Sequence, residues 1–199
     1  MTTPRISYAH LLAKPNPKHI DSLLRFFEEG RSKRGTGGFG VEIEHLPVHN
    51  GDDTAVSYYE ENGVETLLKR IAPYYDKEKE YWENGHLVGL GREGIAVSLE
   101  PGGQVECSLG ILKTPQELLT LYRSFRRDID PVLDELGFRL VNYGYQPKSS
   151  FADVKVNLKD RYDAMTRYLG RVGQFGPCMM RCSASMQVRS EERRVGKEC

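Results

Sequence analysis

Phe39-Gly40-Val41-Glu42-Ile43-Glu44-His45-Leu46 alternates by residue type. In an extended chain Val41 and Ile43 face one way while Glu42 and Glu44 face the other. The segment therefore predicts a half-buried strand, Phe39 to Val48, with two carboxylates on its polar face. A solvated strand carries the same pattern, so its meaning depends on its neighbours. Val97-Ser98-Leu99-Glu100-Pro101-Gly102-Gly103-Gln104-Val105-Glu106-Cys107 repeats the arrangement, with Val97, Leu99, Val105 and Cys107 of one parity and Glu100, Gln104 and Glu106 of the other. Pro101-Gly102-Gly103 interrupts regular pairing between its halves, because proline donates no ladder bond and glycine permits a bulge or close approach. A third stretch, Met180 to Val188, assigns Arg181, Ser183, Ser185 and Gln187 to one face and Cys182, Ala184, Met186 and Val188 to the other. If the three polar faces line one concavity, Glu42, Glu44, Glu100 and Glu106 meet there with a guanidinium, hydroxyls and an amide. Carboxylates about 4 Å apart repel by several kcal/mol at an effective dielectric of about 20, so such a cluster needs cations. Hard oxygen ligands without a His or Cys pattern favour Mg²⁺ or Mn²⁺ over zinc, and Mg²⁺ on a few carboxylates commonly binds phosphate too. That chemistry points to a nucleotide.

Outward from these strands the chain reads as α+β. Asn16-Pro17 opens a helix with Ile20, Leu23, Leu24 and Phe27 at helical spacing, stopped at Gly30, and the basic RSKRGTGG segment follows as a loop. Val64, Leu67, Leu68 and Ile71 mark a second helix ended by Pro73. Thr114-Pro115-Gln116-Glu117 is a capping box that starts a third, whose apolar face runs Leu118, Tyr122, Phe125, Ile129, Leu133 and Leu136. Gly137 terminates it, and Pro131 is expected to bend or break it. A fourth helix, Lys159 to Leu169, is expected to bury Tyr162, Met165 and Leu169. Further strands are expected at Leu87 to Leu90, Ile95 to Leu99, Gln104 to Leu109, Leu140 to Tyr145 and Ser183 to Val188, with Gly91-Arg92-Glu93-Gly94 as a hairpin loop. Strands without regular β-α alternation predict a mainly antiparallel sheet.

Composition excludes several classes. The 199 residues carry 28 Lys+Arg and 28 Asp+Glu, so there is no basic surplus for general nucleic-acid binding. No apolar run is long enough for a bilayer, and MTTPRISYAH lacks a signal-peptide core, so a cytoplasmic protein is expected. Cys107, Cys178, Cys182 and Cys199 form no Cys-x-x-Cys pair, which argues against a zinc ribbon or a secreted disulfide scaffold. Gly35-Thr36-Gly37-Gly38-Phe39-Gly40 matches a dinucleotide fingerprint literally, yet it follows a basic loop and opens a strand instead of a helix. No P-loop pattern and no Gly-x-Ser-x-Gly elbow occurs. His45 lies opposite Glu42 and Glu44 and reads as structural, and Cys178 and Cys182, around a strand start, read as packed thiols.

GVEIEHLPV (residues 40–48), SLEPGGQVECSLG (98–110), GYQPKS (144–149), the RYDAM segment (161–165) with Tyr168-Leu169, Val172-Gly173 and Gly176 after it, and MMRCSASMQV (179–188) stand in one order along the chain. Together they resemble the bacterial and plant-type glutamate-cysteine ligase family from about Phe39 to Val188. The resemblance implies a glutamine-synthetase-like catalytic fold with ATP, metal ions and glutamate on the concave face of a curved antiparallel sheet. It implies ATP-dependent joining of the L-glutamate γ-carboxylate to the amine of L-cysteine through a γ-glutamyl phosphate. On that footing Glu42, Glu44, Glu100 and Glu106 form the Mg²⁺ cluster, and Glu42, Glu44, Glu100 and Arg161 are the catalytic candidates, Arg161 as a fork for a substrate carboxylate. Gln187, Ser185 and Arg181 are candidates to face the nucleotide.

Residues 189–199 depart from the family pattern. Their dense charge and scarce apolar content are expected neither to extend the strand nor to pack a core. The chain accordingly reads as residues 1–188, the N-terminal part of one catalytic domain, followed by a charged non-native tail.

Overall fold

A computed structural model describes residues 17–32, 38–157 and 159–190. The chain divides into two compact units, Met1–Gly37 and Gly38–Cys199. In the first, helix α1 spans Pro17–Ser32 and so continues past Gly30, where a stop was expected. Most of the basic loop and the first glycines of the fingerprint-like run lie outside the described residues.

The second unit is built on β1 (Phe39–His49), followed by α2 (Val64–Ile71), β2 (Tyr81–Glu83), β3 (His86–Arg92), β4 (Ile95–Leu99), β5 (Val105–Leu112), α3 (Pro115–Leu136), β6 (Phe138–Val141), α4 (Asp160–Val172), α5 (Gly176–Cys182) and β7 (Met186–Ser190). The sheet has seven strands, in order β2-β3-β4-β5-β1-β6, with β7 also on β1. All of its ladders are antiparallel. β1 is the axis of the sheet. One side pairs with β5, and the other is shared end to end by β7, opposite Phe39 to Ile43, and β6, opposite Leu46 to His49. This is the α+β arrangement the sequence implies.

Alternation along the strands decides which face is covered. Val41, Ile43, Ile95, Val97, Leu99, Val105, Cys107 and Leu109 are buried in one core with Leu67 and Leu68 of α2 and Phe125, Ile129 and Leu133 of α3. All four apolar residues that define α2 are buried, so its spacing serves one stripe. α3 begins as its capping box predicts: Glu117 N–H donates to Thr114 Oγ1 at 3.2 Å, and Gly137 takes the left-handed cap at φ 79°. The helix continues past Pro131 without breaking there. His45 is wholly buried on this covered side. Its Nδ1 lies 3.0 Å from the Val105 carbonyl, which can only accept, so Nδ1 carries the proton and Nε2 accepts from the Tyr122 hydroxyl at 2.9 Å. Burial holds its pKa below the ordinary imidazole value.

Several boundaries differ from the sequence reading. β6 stops at Val141, and Tyr145 makes only an isolated bridge to Ser183. Met180 to Cys182 are helical, so Cys178 and Cys182 lie one turn apart on α5 and not around a strand start. β7 begins at Met186 and continues through Arg189 and Ser190, which pair with Gly40 and Phe39, so charge after Val188 does not stop the strand. Residues 191–199 lie outside the described residues. In α4 Tyr162 is the only buried residue among those whose burial is described, while Met165 is exposed and Leu169 half-buried. Among the described residues no helix is long and apolar enough to cross a membrane.

Candidate active site

The uncovered sheet face is organised in two rows set by strand register. One runs Gly89, Ser98, Glu106, Glu44, and the next runs Gly91, Ala96, Ser108, Glu42, Gln187. Glu44 and Glu106 are thus direct cross-strand partners, a like-charge pair that costs stability wherever no counter-charge is supplied. Their oxygens are held by neutral donors. Glu106 Oε1 accepts from the hydroxyls of Ser108 at 2.6 Å and Ser98 at 3.2 Å. Glu44 Oε2 accepts from the Ser185 N–H at 2.8 Å, and its Oε1 from Gln187 Nε2 at 3.5 Å.

Glu100 joins this pair from the end of β4. Burial first, then the charges of Glu106 and Glu44, push its pKa above the ordinary 4.5, while Lys159 and Arg161 work the other way. Three of the four expected acids therefore share one electrostatic environment. Glu42 shares the face but stands in the neighbouring row, where its Oε2 accepts from Arg189 Nη2 at 3.1 Å. Among the described residues no three His, Cys, Asp or Glu side chains converge closely enough to hold a metal ion as they stand. The carboxylates are neighbours, not a closed cage.

Two hollows border the candidate residues. One, about 310 Å³, is lined by the polar side chains of Glu44, Glu100, Gln104, Ser183, Ser185 and Gln187 and by Met165 and Met179. Gln104 is 2% exposed and fixes this wall. Its Oε1 accepts from the Gly102 N–H at 2.7 Å and its Nε2 donates to the Ser183 carbonyl at 2.8 Å, tying the Pro-Gly-Gly turn to the start of the Ser183 to Gln187 segment. The second hollow, about 460 Å³, lies between Tyr81 and Trp82 of β2, Ser98 of β4, and Lys159 and Arg161 at the start of α4.

Ser185 and Gln187 thus reach Glu44. Arg181 does not: as part of α5 it turns away, its Nη1 donating to the Phe151 carbonyl at 3.2 Å. Helical geometry removes the alternation on which its assignment depended. Sequence reasoning does not single out Ser98, Ser108 and Lys159. The two serines share the parity of Glu106 and were legible from it. Lys159 was not, because its place depends on how α4 docks against Leu99.

The raised proton affinity of Glu100 has a measurable consequence. A carboxyl that binds its proton more tightly folded than unfolded contributes most below the unfolded value, and that contribution is lost as pH rises through the raised folded value. Glu100→Gln is expected to raise the melting temperature at pH 8 and to change it little near pH 4. Equal shifts at both pH values in a thermal melt contradict the assignment.

The profile of glutamate-cysteine ligase family 2 matches residues 38–193. Chloroplastic glutamate-cysteine ligase of Nicotiana tabacum is 30% identical over 186 residues, covering 94% of this chain and 34% of the relative. Chloroplastic glutamate-cysteine ligase B of Oryza sativa subsp. japonica is 32% identical over 172 residues, covering 86% of this chain and 34% of the relative. The chloroplastic enzyme of Arabidopsis thaliana is 34% identical over 172 residues, covering 86% and 32%. The chain spans about a third of the length of these relatives. With the family profile matched across the whole acid-bearing sheet, the chain belongs to the glutamate-cysteine ligase family.

Proposed function

We propose that this chain carries the acidic sheet face on which a glutamate-cysteine ligase holds the phosphates of ATP, and that the reaction served is the joining of the L-glutamate γ-carboxylate to the amine of L-cysteine. The observation that carries this reading is the meeting of Glu44, Glu100 and Glu106 on one sheet face inside the family match. A carboxylate resists attack by an amine because its charge repels the nucleophile and oxide is a poor leaving group. Transfer of the ATP γ-phosphoryl to a glutamate γ-oxygen releases ADP and gives γ-glutamyl phosphate. The cysteine nitrogen then forms the C–N bond, phosphate leaves with the C–O bond electrons, and the ammonium proton goes to solvent. Such catalysis is mainly positioning and charge neutralisation.

The donor set is all hard oxygen, which suits Mg²⁺ or Mn²⁺. Glu44, Glu100 and Glu106 would hold the ion, with Glu42 beside them, and when bound it would neutralise charge on the transferring phosphoryl group. Ser185 and Gln187 orient the Glu44 carboxylate and border the same hollow. Arg161, at the edge of the larger hollow, is suited to pair a substrate carboxylate. Cys107, Cys178 and Cys182 are free thiols, which supports a reducing compartment such as the cytoplasm.

The test is ADP release by the full 199-residue chain. Release that requires both glutamate and cysteine is expected. Release with another amine in place of cysteine would reassign the chain to a related carboxylate-amine ligase. A second reading is supported by the one-third coverage of the relatives: Mg-nucleotide binding without turnover would mark a nucleotide-binding module that does not complete the reaction alone.

A further inference from the structure

The Leu99 carbonyl, at the residue before Glu100, accepts two side-chain hydrogen bonds, from Lys159 Nζ at 2.7 Å and from the Tyr162 hydroxyl at 2.8 Å. Tyr162 is 1% exposed, and its hydroxyl in turn accepts from Arg161 Nη2 at 3.0 Å. Lys159 and Arg161 both stand against the Tyr162 ring, 5.6 and 4.9 Å from its centroid. On the other side of Glu100 the backbone is tied as well. Glu100 N–H donates to Gln104 O at 2.9 Å, Gly103 N–H to Glu100 O at 2.9 Å, and Asn157 N–H to Pro101 O at 2.8 Å.

A carbonyl already served by a buried phenol does not need an ammonium. Placing one there is unfavourable, since burial and the neighbouring Arg161 both push the Lys159 pKa down. Charge offsets part of that cost: Glu100, Glu83 and Glu106 all favour the cation. Lys159 thus bonds the backbone just before one acid while its charge faces three.

We propose that Lys159 is a positioning residue that, together with Tyr162, clamps the Leu99 carbonyl and so fixes the direction in which Glu100 presents its carboxylate beside Glu44 and Glu106. The role rests on the divalent-cation reading above, but part of its test is independent of any metal. In the metal-free full chain, Lys159→Met is expected to lower the backbone ¹⁵N order parameters of Glu100, Gly102 and Gly103 from about 0.85 toward about 0.6. Tyr162→Phe, which removes the other half of the clamp, lowers them at the same residues and serves if Lys159→Met fails to fold. Lys159→Arg keeps them near the wild-type values. Mn²⁺ titration followed by electron paramagnetic resonance supplies the second readout. Removing a cation from beside carboxylates should by charge alone tighten Mn²⁺ binding, whereas loss of positioning weakens it, here by about 10-fold or more, with Lys159→Arg recovering most of the affinity. Unchanged order parameters in both variants, or Mn²⁺ binding as tight or tighter in Lys159→Met, overturns the proposal. Wild-type protein that takes up no Mn²⁺ would sink the metal assignment instead, and the order parameters would still decide the clamp.

Discussion

Glu44→Gln is expected to reduce glutamate-dependent ADP release by the full chain at least about 100-fold, the scale of removing one preorganised charge-stabilising group. Glu44 is built into the face through both of its carboxylate oxygens. Its oxygens are held by Ser185 and Gln187, it sits directly across from Glu106, and it borders the hollow that Glu100 also lines. The same substitution relieves the Glu44–Glu106 cross-strand repulsion, so stability should hold or rise, by about 0.2–1 kcal/mol. Activity and stability moving in opposite directions separates a functional acid from a structural one. Full turnover in the variant, or lost turnover that simply follows unfolding, contradicts the assignment. Glu42→Gln is the internal comparison: its carboxylate is engaged by Arg189 in the neighbouring row, so its loss should cost less.

Gly102→Ala should be the most damaging of the small substitutions in the Pro-Gly-Gly turn. A Cβ at Gly102 would collide with the backbone carbonyl of Arg181, which cannot swing aside as a flexible side chain can. Overpacking of this kind costs about 1–3 kcal/mol, or about 3–10 °C in melting temperature for a domain of this size. The damage also reaches function, because the Gly102 N–H bonds Gln104, and Gln104 holds the Ser183 carbonyl that leads into Ser185 and Gln187. Gly103→Ala is the control. Gly103 has φ 81° with nothing near its added methyl, so only left-handed backbone strain of about 1–2 kcal/mol is expected. Thermal melts of the two variants check this, and equal losses would show that close packing against Arg181 is not what the turn requires.

Much of this face was legible because side-chain direction in a strand follows from counting. Parity alone put Glu42, Glu44 and Glu106 on the uncovered side and His45 on the covered one, and register then made Glu44 and Glu106 neighbours. The same counting failed at Arg181, where a seven-residue helix replaced the expected strand. Nothing in Met179-Met180-Arg181-Cys182 marks that helix by periodicity, since about two turns are shorter than the window in which a period can be recognised. α4 shows the opposite limit. Its helical spacing was legible but its burial was not, because the helix covers the end of β4 with Tyr162 alone instead of a full apolar stripe. Lys159 was out of reach for a related reason: no local pattern says that a lysine before a helix will turn back onto a strand carbonyl.

On the proposed reading, Glu44, Glu100 and Glu106 form one seat for a divalent cation. Substoichiometric Mn²⁺ added to the ¹⁵N-labelled full chain tests it directly through paramagnetic broadening of assigned amides. Selective loss of the signals of Glu44, Glu100, Glu106 and Ser185 at the lowest Mn²⁺ additions is the predicted result. Broadening scattered over exposed acids, or centred on residues away from this sheet face, would contradict it.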